Sequence, residues 1–555
     1  MATRSDPPLS PPRGSFSVWH RLLRGYGPLA VLAILLLLMA VLVPSKSPDA
    51  TNVIGGAAAS GDDETVEIDE TTGDTVPVDG TAAGSGGSAG TEGSVKKGVP
   101  ARTDPCPGQA EQVPGDPYSP PCIAFSGDNG GATSNGVTAT EIKVAYRSLN
   151  EKGFQQTLAA LAGATLQDGP EDIKRTVVAL ADYFNKRYQF YGRKLVVEFY
   201  NGQGSNTTEL LGGGREKAEA DADRVKSIGA FADLSATSEP YANALARRQI
   251  VAFGDPYLSR PWHEQRRPFT WSLATDGTMV ATEAAEYAAK RLCNKSAKWA
   301  GGEFKDRPRV IATFAPENSW YQESVQIARG KMQELNCSPS TNVEYQLDLG
   351  TMSNQAANII PKMKSAGVTT ILCGCDPIMP VFLTGEMNRQ SYFPEFVIVG
   401  TALTDHDIVG QLWNQEAAKH AFGVSSLTGF VPPTQTIAYE AYKTVRTDEP
   451  AFTVDLIYYQ MQMLAIGVQM AGPNLTPQAF EAGMFRYPPK LGPVGYWVFG
   501  PGDYTPPNDV REIYWDPNAT STYNGKKGAY IDPSGGNVRW RVNQIPAGDP
   551  QIPVR

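Results

Sequence analysis

Residues Ile228–Tyr257, IGAFADLSATSEPYANALARRQIVAFGDPY, decide how the fold is read. Two short apolar runs, Ile228–Leu234 and Gln249–Gly254, lack polar alternation, as strands do when helices cover both faces of a parallel sheet. A polar turn and a helix expected over Glu239–Arg248 separate them, so the stretch reads as strand, turn, helix, strand. Ser235, Thr237 and Ser238 then stand just past the carboxyl end of one strand, and Asp255 and Tyr257 just past the end of the next. In an open parallel sheet that edge is where ligands bind. The helix after the first turn begins with free N–H groups, a favourable place for an anion such as a carboxylate. Ser and Thr at such a turn also serve as helix N-caps, and Asp before Pro as a turn residue, with or without a ligand.

The alternation extends in both directions. Upstream, Ile173, Val177, Leu180, Phe184 and Tyr188 recur at helical spacing within Glu171–Tyr191, Gly192 is a stop signal, and Leu195–Tyr200 reads as a strand. A helix is expected over Arg215–Ser227. Downstream, strands at Phe269–Ser272, Arg309–Phe314, Val343–Leu347, Val368–Cys373 and Phe396–Gly400 alternate with helices at Gly277–Leu292, Trp320–Leu335 and Ser353–Ser365. Ala421–Leu427 reads as strand, Gln435–Val445 and Val454–Met470 as helices, and Arg511–Trp515 as a late strand. Two successive α/β sheets are the simplest account. Arg147, at the end of the opening strand, suits either a salt bridge or an anion contact.

The order EIKVAYR, YFNKRYQFYGRKLVVEFYNGQ, the S-x-T-S turn, QIVAFGDPY and FTWSLATDGTMVATEAAEYAAKRL, followed by RVIATFAPENSWYQESVQIARGKMQEL, ANIIPKMKSAGVTTILCGCDP and FVIVG, resembles the type I periplasmic binding proteins. This is the leucine/isoleucine/valine-binding family that serves ABC transporters, and the resemblance spans roughly residues 137–545. It implies an α/β two-lobed clamshell, each lobe a mostly parallel sheet flanked by helices. Lobe 1 is expected over 136–272 and 432–500, and lobe 2 over 273–431 and 501–550. It also implies that Ser235, Thr237 and Ser238 receive a carboxylate, with Asp255 and Tyr257 beside them, while Trp320, Tyr321, Cys375, Asp376 and Thr401 close from the second lobe. At this last strand end the family often presents an acid to an ammonium group, whereas this chain has Thr401-Ala402-Leu403. An amino-acid ligand would then need Asp255 or Asp376 in that role. The function implied is capture of a small polar solute, amino-acid-like or carboxylate-bearing, for an ABC permease; a ligand-sensing or structural clamshell is the alternative.

The totals of the 555-residue chain narrow the classes. A formal net charge of −9, without a Lys/Arg-rich run, argues against nucleic acid as a partner. Only four histidines occur, and the folded region lacks a P-loop, a G-x-S-x-G elbow and H-E-x-x-H, so neither an enzyme nor a cofactor is expected. The six cysteines are expected to pair as Cys106–Cys122, Cys293–Cys337 and Cys373–Cys375. Cys375 and Asp376 with the acids of Asp405–Asp407 lack the spacing of a zinc site, so no metal is expected.

Before the folded region lies Leu29–Val43, LAVLAILLLLMAVLV, preceded by Arg4, Arg13, Arg21 and Arg24. It reads as a signal-anchor helix over 25–44 with a cytoplasmic segment at 1–24, or alternatively as a cleaved signal peptide. Residues 45–135 read as a flexible low-complexity linker with a Pro/Gly-rich lead-in. The expected location is therefore the cell membrane, single-pass, with the bulk extracytoplasmic.

Overall fold

The computed structural model describes residues 106, 108–149, 168–254, 257–429 and 431–554. All belong to one compact unit that runs from Gly90 to Arg555. The first sheet is built from β1 (Glu141–Ser148), β2 (Lys194–Asn201), β3 (Ala232–Asp233), β4 (Val251–Phe253) and β5 (Thr270–Trp271) in the order β2-β1-β3-β4-β5. Every pairing in it is parallel. Helices α1 (Pro170–Arg187), α2 (Arg215–Ile228) and α3 (Glu239–Arg247) connect these strands. In α1 the apolar spacing buries Val177, Leu180 and Phe184, and the Asp172 carboxylate accepts the Gly169 N–H at 2.9 Å to close the helix start.

The central strand is shorter than its apolar run suggests. Ala218, Asp221, Ala222, Val225 and Ile228 form one buried face of α2, so Ile228 ends a helix instead of opening a strand. Gly229, at φ 70°, takes the left-handed conformation that terminates it. Only Ala232 and Asp233 remain for β3.

The chain then enters the second lobe through α4 (Gly277–Tyr287), β6 (Ile311–Pro316), α5 (Ser319–Glu334), β7 (Thr341–Tyr345), α6 (Met352–Ser365), β8 (Thr370–Cys373), α7 (Met379–Arg389), β9 (Glu395–Ile398) and β10 (Ala421–Ser425). It returns through α8 (Val454–Ala471) and α9 (Pro477–Arg486) to the first lobe, where Tyr458 of α8 lies 5.3 Å from Phe184 of α1 between ring centres. The close passage of α8 and α9 needs small residues, since a Cβ on Gly467 would lie 2.1 Å from the Phe480 ring. A hairpin of β11 (Lys490–Gly492) and β12 (Gly495–Trp497) leads to β13 (Arg511–Thr520) and β14 (Lys527–Ile531). The second sheet runs β14-β13-β10-β9-β8-β6-β7. Its strands from β6 to β10 pair in parallel, and β13 and β14 join antiparallel at one edge. β6, β8, β9 and β10 are buried along their whole length, which explains their continuous apolar runs.

The lead-in from residue 108 packs onto the first lobe. Tyr118 is fully buried and stacks on Trp497 with ring centres 4.1 Å apart. Asp116 accepts the Tyr118 N–H at 2.9 Å and the Tyr458 hydroxyl at 2.7 Å. The Cys106–Cys122 bond closes this segment, and Cys293–Cys337 and Cys373–Cys375 are also joined.

The single-pass membrane location requires correction. Residues 1–105, including the apolar stretch at 25–44, lie outside the described residues. Among the described residues no helix is long and apolar enough to cross a membrane, so single-pass anchoring is without support.

Candidate functional site

The carboxyl ends of β1, β3 and β4 form one edge, and the chain fills it with its own polar groups. Arg147 at the end of β1 is buried, and its guanidinium grips Glu209 with two bonds of 2.9 Å while reaching Asp221 at 3.2 Å. It lies 3.7 Å above the Tyr241 ring. These partners hold the guanidinium above its ordinary range, although its burial acts in the opposite sense. Of the two readings of Arg147, the salt bridge is the one the structure adopts.

Ser235, Thr237 and Ser238 are drawn into this network. Ser235 Oγ donates to Asp233 Oδ1 at 2.6 Å and accepts the Arg147 N–H at 2.8 Å. Thr237 is exposed, and its hydroxyl donates to Asn206 Oδ1 at 3.0 Å. Ser238 stands at the N-cap of α3, yet its hydroxyl donates to Glu209 Oε2 instead of capping the helix. Asp233 also accepts the Tyr241 hydroxyl at 2.8 Å. Burial pushes the Asp233 carboxyl above its usual range, against the pull of these hydrogen bonds and of Arg147. Gln460 of α8 donates to the carbonyls of Leu234 and Phe253 at 2.9 and 2.8 Å, satisfying the ends of β3 and β4.

The opposing edge belongs to the second sheet. Asp376, just beyond β8, accepts the Ile378 N–H at 2.7 Å, the Met379 N–H at 3.2 Å and the Tyr345 hydroxyl at 2.5 Å. Thr401 beyond β9 donates to the Cys375 carbonyl at 3.3 Å, and Cys375 is buried in its disulfide. Asp405 reaches the same edge because Ala402 and Leu403 take φ of 48° and 61°, turning the chain back. Its carboxyl accepts the Ser425 hydroxyl at 2.5 Å, and burial pushes it up to about 6.

The two edges meet. Trp320 and Asn318 at the start of α5 lie against the first lobe: a Cβ on Gly212 would stand 3.1 Å from the Trp320 ring, and Asn318 Nδ2 donates to the Leu211 carbonyl at 3.5 Å. Tyr257 of the first lobe packs among Val280, Ala284 and Val399. Its hydroxyl is bonded by the Leu403 and Ala402 backbone, and burial, with the Asp405 charge behind it, raises the phenol well above its usual range. Tyr321 is raised for the same primary reason, burial, with the Asp376 carboxylate adding to it. Of the ten residues expected at the site, Ser235, Thr237, Ser238 and Tyr257 lie on the first edge and Trp320, Tyr321, Cys375, Asp376 and Thr401 on the second, while Asp255 lies outside the described residues. Glu209 and Asp233 also stand at the first edge without having been expected there, and Asp405, weighed above only for a metal, stands at the second. Asp233 was visible as a lone acid inside the run AFADL; Glu209, in a Gly-flanked polar stretch, gave no signal.

A family model described as periplasmic binding protein matches residues 157–519. No curated protein sequence matches the chain. Among solved structures, a solute-binding protein of an ABC transporter from Rhodopseudomonas palustris in complex with 4-hydroxybenzoate is 11% identical, with a TM-score of 0.51, covering 72% of this chain and 97% of its own. A second, from strain HaA2 of that organism with p-hydroxybenzoic acid, is 12% identical at a TM-score of 0.50, covering 73% and 98%. An ABC transporter substrate-binding protein from Sphaerobacter thermophilus is 13% identical at a TM-score of 0.50, covering 74% and 100%.

Proposed function

The chain belongs to the periplasmic binding protein family, and on that premise we propose that it captures a small polar organic solute between its two lobes, outside the cytoplasm, and delivers it to an ABC-type permease. The observation that carries this reading is the meeting of two sheet edges, with Trp320 set against Gly212 and Tyr257 against Val399. A solute that touches both edges favours the closed arrangement in proportion to the contacts it makes only there. A few charge-assisted hydrogen bonds of ~1.5–3 kcal/mol each would supply the ~8 kcal/mol of a micromolar site. Binding, with no chemistry on the solute, is the role this arrangement supports.

The test is calorimetric titration of the purified chain with amino acids, amines, amides, short peptides and aromatic acids; 4-hydroxybenzoate enters the panel because two solved relatives hold it. A saturable heat that is lost in Trp320→Ala, with folding retained, is the expected result. A ligand bound equally well by Trp320→Ala and by Tyr257→Ala would place binding elsewhere.

A further inference from the structure

Beyond β14 the described chain forms no further helix or strand, yet this last segment is firmly seated on the second lobe. Ile545 belongs to the apolar cluster that holds Tyr287, Leu292 and Phe422, and Trp540 and Ile552 pack against it. The backbone is tied there as well. Trp540 exchanges two hydrogen bonds with Val510, of 2.8 and 2.7 Å. The buried Glu286 of α4 accepts the Asn543 and Ile545 N–H groups at 2.6 and 3.1 Å, and Glu512 accepts the Gln551 N–H at 2.8 Å.

From this seat two guanidinium groups reach the other way. Arg539 donates to the Ser426 carbonyl at 2.8 Å, where the chain leaves β10 for the first lobe, and to the Asp509 carboxylate at 2.6 and 3.1 Å, where it comes back. Asp509 in turn accepts the Tyr496 N–H at 3.0 Å. Arg541, an exposed residue, lies 3.6 Å over the centre of the Tyr496 ring. Tyr496 stands in β12 beside Trp497, which is part of the first lobe's core together with Tyr118 and Tyr504. Gly495 permits the approach: at φ 86°, a Cβ there would lie 3.0 Å from Asp509 Oδ1 and 3.3 Å from Arg539 Nη2. One segment, seated on the second lobe, thus holds the two chain crossings at Ser426 and Asp509 and the hairpin of the first lobe.

We infer that the C-terminal segment is a clasp between the lobes: seated on the second, it grips the first through Arg541 and Tyr496 and holds the pair in the arrangement in which their sheet edges meet. The inference goes beyond solute capture and rests on that reading in one respect, that the lobes turn against each other. A contact made only in one arrangement raises the population of that arrangement, and any solute that needs it binds more tightly in proportion. The Arg541 stack is such a contact, since a turn of the lobes slides the guanidinium off the ring. The Arg539–Asp509 pair sits at the crossings themselves and serves as the pivot.

The six cysteines are paired in three disulfides, so cysteines introduced at the exposed Thr207 on the first lobe and the exposed Ser353 on the second supply the free thiols for spin labels. Pulsed dipolar spectroscopy of the full labelled chain, without solute, reads the distribution of distances between the lobes. In Arg541→Ala, with a native circular dichroism spectrum, the share of distances longer than the native mode is expected to rise about threefold. Tyr496→Ala is expected to do the same, and the double variant Arg541→Ala/Tyr496→Ala to add nothing beyond either single change. Tyr496→Phe keeps the ring face and is expected to match the native chain. If Tyr496→Ala does not fold, Tyr496→Leu, which keeps apolar bulk without a ring face, replaces it. Additive single effects, or a shift toward shorter distances, overturn the clasp. A broad native distribution that is unchanged in Arg541→Ala overturns it too and leaves the turning of the lobes, and with it solute capture, standing. One narrow distance in the native chain and every variant overturns the clasp, and if it stays unchanged when the calorimetric panel is added, it counts against solute capture as well.

Discussion

The two edges that face each other solve the same problem in different ways. On the first, a buried guanidinium organises acids and hydroxyls from β1, β3, α2 and the Asn206–Leu210 helix into one network around Arg147. On the second, each acid is held locally: Asp376 by the start of α7 and Tyr345, and Asp405 by Ser425. The first edge is a single cooperative cluster, and the second is a set of independent caps. Damage to the first should therefore spread, and damage to the second should stay in place.

The largest effect is expected from Arg147→Met. It leaves Glu209 and Asp221 buried without their cation, at a cost of about 3–5 kcal/mol in urea unfolding. The matching change on the second edge, Asp376→Ala, removes one helix cap and one tyrosine bond and is expected to cost about 1–3 kcal/mol. Equal costs for the two would erase the distinction between network and caps.

Asp405 sharpens the comparison through pH. Its folded value of about 6 lies above the 3.8 of the unfolded chain, so the folded state holds the proton more tightly. Its contribution is therefore fully present below about pH 4 and is lost as pH rises toward 6. Asp405→Asn keeps an acceptor for Ser425 and is expected to flatten this part of the stability profile, by on the order of 2 kcal/mol across the window. A profile that keeps its slope in Asp405→Asn would assign the titration to another group.

Two further substitutions address binding. Trp320→Ala is expected to weaken a solute by about 2 kcal/mol, close to thirtyfold, because its ring reaches across to Gly212 on the facing edge. Thr237→Val, at an exposed position, should shift stability by less than ~0.5 kcal/mol and weaken a bound solute by about 1 kcal/mol, measured by thermal unfolding and calorimetry.

Much of the architecture was legible in the sequence because the chain buries its sheets on both faces. Continuous short apolar runs such as Ile311–Pro316 and Thr370–Cys373, bounded by helical segments, suit a parallel sheet covered on both faces, and both are strands buried along their length. The three disulfides were readable from position, Cys293 and Cys337 each lying just past a helix. Boundaries failed where local termination overrode hydrophobicity, as at Ile228, which belongs to the buried face of α2. The site was only half legible. Ser235 and Thr237 announce themselves as hydroxyls at a strand end, but the direction of a hydroxyl is set by what lies opposite, and Glu209 comes from a separate helix 29 positions before Ser238. Asp405, weighed in the sequence only for a metal, is not expected at the strand end because the sequence there shows Thr401-Ala402-Leu403; two residues with positive φ bring the acid back to it. Tertiary folding, not spacing, assembled both.

The account rests on the two edges closing over a solute. Small-angle X-ray scattering of the chain, with and without a saturating hit from the calorimetric panel, tests this most directly. The account predicts a smaller radius of gyration in the presence of the hit, lost in Trp320→Ala. An unchanged radius at full occupancy, with the heat of binding intact, would contradict it.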